Sequence, residues 1–446
     1  MLPWTLREVA ALANGRVVKG NGELQVSGVT HDTRKVQKGD LYVAIVGERL
    51  DGHRFLKEAA RKGAKAALVE RKVGVNIPQV LVKDTTKALG ELGRAQRLQW
   101  GGPVVAVTGS VGKTTVKDMA AYLLGARYRV LKTEGNLNNQ FGLPLTLLKL
   151  DPTHEVAVVE LGINHPGEME WLSEIARPDV AIVTAIGEAH LGFFKGRRHL
   201  AAEKMKVASA LRPGGVKILN GEDAYLPERG KNVMTFGLKL GQVKAEDLHP
   251  QGLGTAFTLD AQGGAAATHL NLLGNHNVVN ALAAVSAGLT LGIPLKKLAT
   301  RLRSFVPQAR MRMEIKNLKG VLFINDAYNA SPTSMEAALV TFQDMKGPAR
   351  KWAVLGDMLE LGSFSKETHA RIVRRASEAG FTGVILVGNR MKEAHRNLDE
   401  ADKAKVWAFS GLSGAKLFLK SRAVAGDAVL LKASRGMRLE KLLEGL

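Results

Sequence analysis

Between residues 104 and 432 the chain alternates short apolar runs with longer stretches in which apolar residues recur every three or four positions. VVAVTG, EVAVVELG, DVAIVTAIG and GVKILNG form a first series of runs, and GVLFINDAY, KWAVLGDM, FTGVILVG and DAVLLKAS form a second. Continuous apolar runs read as strands buried on both faces, and the three-to-four spacing reads as helices lying across them. The pattern predicts an α/β fold with two parallel sheets covered by helices. After VVAVTG, the residues Val116, Met119, Ala120, Leu123 and Leu124 mark one buried helical face, which Gly125 can end. The glycine-rich segment GQVKAEDLHPQGLGTAFTLDAQGGAAATHLNLLG reads as a β excursion from the first series. A smaller mixed unit precedes both, opened by a short helix behind a Thr5–Glu8 capping box. Three domains follow, 1–84, 85–307 and 308–446, with SFVPQARMRME carrying the crossing into the last. The chain contains no internal repeat.

Length supports that division, because 446 residues exceed the roughly 250–300 at which single cores stop growing. No apolar run approaches the roughly 20 residues of a membrane helix. MLPWTLREVAALANG lacks the basic-then-apolar order of a signal peptide, so a cytoplasmic enzyme without membrane insertion is expected. The absence of cysteine excludes disulfides and thiolate chemistry. A net charge of +21 would suit a nucleic-acid binder, yet the basic residues are scattered and aromatics make up only 5% of the chain. Such a field suits a small, multiply anionic substrate better, and no nucleic-acid partner is expected.

VVAVTGSVGKTTVKDM runs from a strand through a glycine turn into a helix. Gly109, Ser110, Val111 and Gly112 can aim backbone N–H groups at a phosphate, helped by the positive end of the helix. Lys113 would reach the terminal phosphates of a nucleotide, and the hydroxyl of Thr114 or Thr115 could coordinate Mg²⁺. The commoner phosphate loop has another glycine where Val107 stands. Acidic metal ligands are expected at neighbouring strand ends, where VAVVELG supplies Glu160 and AIGEAHLG supplies Glu188 and His190; Glu160 and His190 are the candidates.

TGSVGKTT, TEGNLNNQFGLPLTLL, VVELGINHPGEM, AIGEAHLGFF, GNHNVVNALAA and INDAYNASPTSMEAAL together resemble the Mur ligases, the ATP-dependent amide-forming enzymes of peptidoglycan synthesis. That family carries the shortened loop, which accounts for Val107. The resemblance covers nearly the whole chain. It implies a small UDP-binding domain, a central parallel-sheet phosphate-loop ATPase domain and a C-terminal Rossmann-like domain. DAYNASPTSM with LGDMLELG is most similar to the branch that joins D-alanyl-D-alanine to UDP-N-acetylmuramoyl-tripeptide through an acyl phosphate. A sister ligase adding one amino acid, a folylpolyglutamate synthase and, from another class, a nucleic-acid-stimulated ATPase are the alternatives.

The resemblance further implies ATP, two Mg²⁺ ions and a carbamylated lysine. Lys204 matches that lysine by position; Lys206, standing where many relatives have glutamate, is its rival. Lys113, Thr115, Glu160 and His190 would gather γ-phosphate, carboxylate and metal. Asn277 and Asn280 would read the base edge and Asp326 would hold ribose hydroxyls, with Tyr328 and Asn329 beside it. Of the two arginines in ARMRME, Arg312 is favoured over Arg310 for contacting the γ-phosphate on closure. Asn136 and Asn139 would line the substrate side, while Thr33, Arg34 and the turns at Gly47 and Gly52 would hold the uridine diphosphate. Asp357, Glu360 and Arg435 are weaker candidates for the incoming dipeptide. A monomer is expected.

Overall fold

The computed structural model describes residues 3–189, 191–261 and 263–445. Three sheets larger than a two-stranded ribbon organise these residues. The first has the order Arg16–Lys19, Gln79–Leu81, Ala66–Val69, Asp40–Val43, Gly28–Thr30 and is parallel except at its first pair. It is preceded by the helix Leu6–Leu12, whose capping box joins Thr5 and Glu8 as expected.

The second sheet has nine strands. Val104–Thr108 lies between Val156–Glu160 and Val180–Val183, parallel to both. All three are buried along their whole length. Alternate residues of Val104–Thr108 serve opposite cores. Val105 and Val107 pack with the helices Lys113–Leu124 and Asn275–Thr290, while Val104 and Ala106 pack with Leu172 and Ile175 on the other face. That double burial is why the run is continuously apolar. The glycine-rich segment forms three antiparallel strands, Val243–Gln251, Gly254–Ala261 and Gly264–Leu270, which extend one edge of this sheet.

The third sheet has the order Glu314–Leu318, Val321–Asn325, Ala428–Lys432, Lys351–Gly356, Gly383–Val387, Val406–Phe409 and is parallel after its first pair. The crossing into it is short. Phe305 still packs in the core of the second sheet, and Met313 already belongs to that of the third.

The helix Thr85–Trp100 joins the first two units. Its residues Ala88, Leu89 and Leu92 fill the first core together with Leu6, Leu41 and Val80. Arg97, near its other end, is only 1% exposed. Its guanidinium donates to the carbonyls of Ala176, Gly102 and Arg177 and to Asp179 at 2.8 Å. Burial lowers its pKa to about 10 against the pull of Asp179, so the group remains a cation at neutral pH. Among the described residues no helix is long and apolar enough to cross a membrane.

Candidate active site

The later strands Val156–Glu160 and Val180–Val183 are added on opposite sides of Val104–Thr108, both parallel to it, which opens a crevice at their carboxyl ends. The phosphate loop fills the gap. Gly109 has φ +146°, and a Cβ there would stand 1.9 Å from Thr184 Oγ1; at Gly112, with φ +83°, it would stand 2.4 Å from Asn280 Oδ1. Only glycine lets the loop lie this close to its neighbours. Ser110 N donates to Ala185 O at 2.7 Å, pinning the loop to the next strand end. Lys113 begins the helix, and its ammonium donates to the carbonyls of Gly109 at 2.9 Å and Ser110 at 3.4 Å. Burial lowers its pKa, Glu160 raises it and Arg312 lowers it again.

Above this loop lies a cavity of about 710 Å³, walled by the second sheet on one side and the third on the other. Gly112, Lys113, Thr114, Thr115, Asn136 and Asn139 line the first wall, with Glu160, Asn277 and Asn280; Arg312, Asp326, Tyr328 and Asn329 line the second. The cavity also reaches Ser110 and Val111.

Glu160 is 1% exposed. Its Oε1 accepts from Asn138 Nδ2 at 2.8 Å, while its Oε2 is buried with no partner among the described residues. An unsatisfied buried carboxylate oxygen beside a phosphate loop fits a hard divalent cation. Ser110 Oγ and Arg312 Nε are likewise buried and unpaired. Acceptors for a cation and donors for an anion are therefore left open in the same cavity. Thr114 Oγ1 accepts from Arg312 at 3.0 Å, which leaves Thr115 as the hydroxyl without that contact.

Arg312 owes its place to strained backbone on both sides. Met311 and Met313 have φ of +60° and +54°, a region costing non-glycine residues about 1 kcal/mol or more. Their N–H groups are caught by Glu314 Oε2 and Asp326 Oδ1. Arg312 consequently lies 4.1 Å above the Tyr328 ring, whereas Arg310 is exposed and does not line the cavity.

Lys204 is 1% exposed, in the last turn of the helix Arg197–Met205. Its pKa falls well below the ordinary lysine value, first through burial and then through Lys113, with Glu203 opposing. Lys206 is partly exposed and pairs with Glu203 at 2.9 Å. Neither lysine lines the cavity itself. His190 lies outside the described residues.

Asn277 and Asn280, expected to read a base, are buried, and Asn280 Nδ2 donates to Asn277 Oδ1 at 3.2 Å. Asp326 pairs with Lys432, which also donates to Asn329 O. Lys432 went unnoticed in the sequence, although a lysine ending the run DAVLL was the available signal. Asn138 was also missed. It holds Glu160, while Asn139 Oδ1 accepts from the N–H groups of Phe141 and Gly142 and Asn136 is exposed. Asp357 does not line the cavity, because its carboxylate accepts from Arg390 N and Met391 N at the start of the helix Asn389–Arg396; Glu360 and Arg435 do line it.

Thr33, Arg34 and Gly47 lie in the first unit, apart from this cavity. Arg34 is exposed and paired with Asp32 at 2.8 Å, and Arg34 holds Asp32 down to about 2. Gly47 N donates to Leu50 O in an exposed turn. His31 stacks on Phe141 at 6.1 Å, so the Thr33 turn adjoins the Asn136–Asn139 loop.

His276, another unforeseen lining residue, has its pKa pushed down to about 4 by burial, with Asp326 opposing and Lys432 reinforcing. An unfolded chain protonates histidine near 6.5. Between about pH 6.5 and 4 the unfolded state thus binds more protons, and this contribution to stability is lost as pH falls. Urea midpoints measured from about pH 7 to about pH 4.5 should decline less steeply in His276→Asn than in the parent.

Phosphate loop, parallel sheet and a facing α/β domain together define an enzyme that handles a nucleotide between two domains. The chain belongs to the Mur ligase family, enzymes that form amide bonds with ATP. Three family profiles match it: "Mur ligase family, catalytic domain" over 25–97, "Mur ligase middle domain" over 107–288 and "Mur ligase, glutamate ligase domain" over 311–435. It is 37% identical to the UDP-N-acetylmuramoyl-tripeptide–D-alanyl-D-alanine ligase of Bacillus subtilis, over 100% of this chain and 99% of that protein. A crystal structure of MurF from Acinetobacter baumannii superposes with TM-score 0.92 at 34% identity, covering 99% and 98% of the two chains. MurF of Thermotoga maritima in complex with ADP superposes at 0.84 and 31%, covering 94% and 96%.

Proposed function

We propose that this enzyme joins D-alanyl-D-alanine to UDP-N-acetylmuramoyl-tripeptide, converting ATP to ADP and phosphate and yielding the UDP-linked pentapeptide. Its domains are 1–84 for the uridine diphosphate, 85–307 for the nucleotide and 308–446 for closure and the incoming dipeptide. One observation carries the reading: Lys113, the unpaired Glu160 oxygen and Arg312 converge on one interdomain cavity. Whole-length likeness to ligases of that name supports the choice of substrates.

Gly109 to Thr115 would hold the triphosphate through backbone N–H groups, with Lys113 swinging from the loop carbonyls to the terminal phosphates. Thr115, Glu160 and His190 would hold Mg²⁺, which neutralises phosphate charge when bound. Lys204, as a carbamate, would supply an anionic bridge for a second ion. Its burial beside Lys113 supports the neutral amine that carbamate formation requires. The tripeptide carboxylate then attacks the γ-phosphorus, ADP leaves, and the dipeptide amine displaces phosphate from the acyl carbon. Arg312 would contact the transferring group, and Asn277, Asn280 and Asp326 would face the nucleoside; that all four line one cavity supports these roles. Tyr328, Asn329, Asn136 and Asn139 border the substrates, while Thr33, Arg34 and Gly47 receive the uridine diphosphate. Closure of the third domain excludes water from the acyl phosphate. The enzyme works as a cytoplasmic monomer, with no nucleic-acid partner.

Phosphate release, measured with UDP-tripeptide and a panel of amino acids and dipeptides, tests the assignment. Release is expected with D-alanyl-D-alanine. Release with a single amino acid only would assign a sister activity, and stimulation by DNA or RNA instead would remove the ligase reading.

A further inference from the structure

The segment after the strand Val180–Val183 is held from three directions. Toward the phosphate loop, Ala185 O accepts from Ser110 N and Thr184 Oγ1 donates to Val111 O. Within its own domain, Ile186 N donates to Asp223 Oδ2 at 2.7 Å and Glu188 pairs with Arg197. From the third domain, Arg371 in the helix Ser365–Ser377 donates to Glu188 Oε2 at 2.8 Å, and its Nε pairs with Glu336 at 3.2 Å. Glu188 is nearly covered by these contacts, with 12% of its side chain exposed.

The backbone is fitted to the same approach. A Cβ on Gly192 would stand 3.0 Å from Gly362 N and 3.1 Å from Glu360 O, and one on Gly187 would stand 2.7 Å from Thr333 Oγ1. Three points of contact thus bring the third domain against a segment whose other side is bonded to the phosphate loop. A single exposed ion pair would contribute little. Glu188 differs because it is shared: without Arg371 it keeps Arg197, and its carboxylate is held by its own domain alone.

We propose that Arg371 is a positioning residue that acts through Glu188, fixing residues 184–188 against the phosphate loop only when the third domain is docked. Closure and completion of the phosphoryl-transfer site then become one event. The catalytic part of this inference rests on the ligase reading above; the conformational part does not.

Small-angle scattering with a non-hydrolysable ATP analogue and Mg²⁺ tests the conformational part. The parent is expected to become more compact, and Arg371→Gln to do so less. Gly192→Ala should behave likewise, since its methyl meets backbone rather than a movable side chain. In steady state, kcat for dipeptide-dependent phosphate release should fall at least about fivefold in Arg371→Gln, with KM for ATP within about twofold of the parent and most of the loss restored in Arg371→Lys. Glu188→Gln should lose as much, and the double variant no more than the worse single one. Parent-like compaction in Arg371→Gln and Gly192→Ala would overturn the proposal, as would independent, multiplying losses at Glu188 and Arg371. A parent that releases no phosphate with D-alanyl-D-alanine would sink the ligase reading and leave scattering to decide the docking role.

Discussion

Lys113→Ala is expected to slow ligation by about 10²–10³-fold, the loss typical of removing one preorganised group that meets charge developing in the transition state. Among the described residues the ammonium donates only to the loop carbonyls of Gly109 and Ser110, and burial lowers its pKa. A cation kept in so poor a site is stabilised further when a phosphate arrives, so its interaction grows along the reaction. The fold gains little from it, and the unfolding midpoint of the variant should equal or exceed that of the parent. Arginine should not restore activity, because a planar fork differs in reach and shape from a compact ammonium. Single-turnover phosphate release measures the effect directly; a rate within about twofold of the parent would remove the phosphate-loop lysine from the mechanism.

Arg97→Ala should destabilise the protein by about 3–5 kcal/mol, the range for removing one member of a buried ion pair. The loss reaches beyond Asp179, since three carbonyls, the buried one of Ala176 among them, would each surrender a donor. These carbonyls belong to the second unit, whereas the helix carrying Arg97 packs its other end in the first core. Urea unfolding should therefore separate into two transitions in the variant, with the first unit released earlier, where the parent shows more coincident loss of signal. Arg97→Lys should recover only part, because one ammonium cannot reach four acceptors in the plane of a guanidinium. An unchanged midpoint would show that the two units are joined mainly by apolar contact.

The central strands were legible because burial on both faces makes a run continuously apolar, as in Val104–Thr108 and Val156–Glu160. Edge strands such as Val130–Lys132 and Glu314–Leu318 were not, since a half-exposed strand carries mixed residues. Among site residues, the loop from Gly109 to Thr115 was readable because its chemistry is local: contiguous residues make the turn, the N–H cradle and the helix start. Asn138, Lys432 and His276 were not, because each meets a partner 22 or more residues away: Asn138 meets Glu160, His276 meets Thr341 and Lys432 meets Asp326.

The sequence by itself determined the layered α/β fold, the phosphate loop and the family, all of which depend on period and on residues adjacent in the chain. Tertiary structure alone decided among near neighbours. It brought Arg312 rather than Arg310 to the cavity through two left-handed methionines, and buried Lys204 while leaving Lys206 paired at the surface. Two residues along a chain can differ by a whole face of the protein, and which face is buried depends on elements distant in sequence, as when Arg312 meets Thr114 across the cleft.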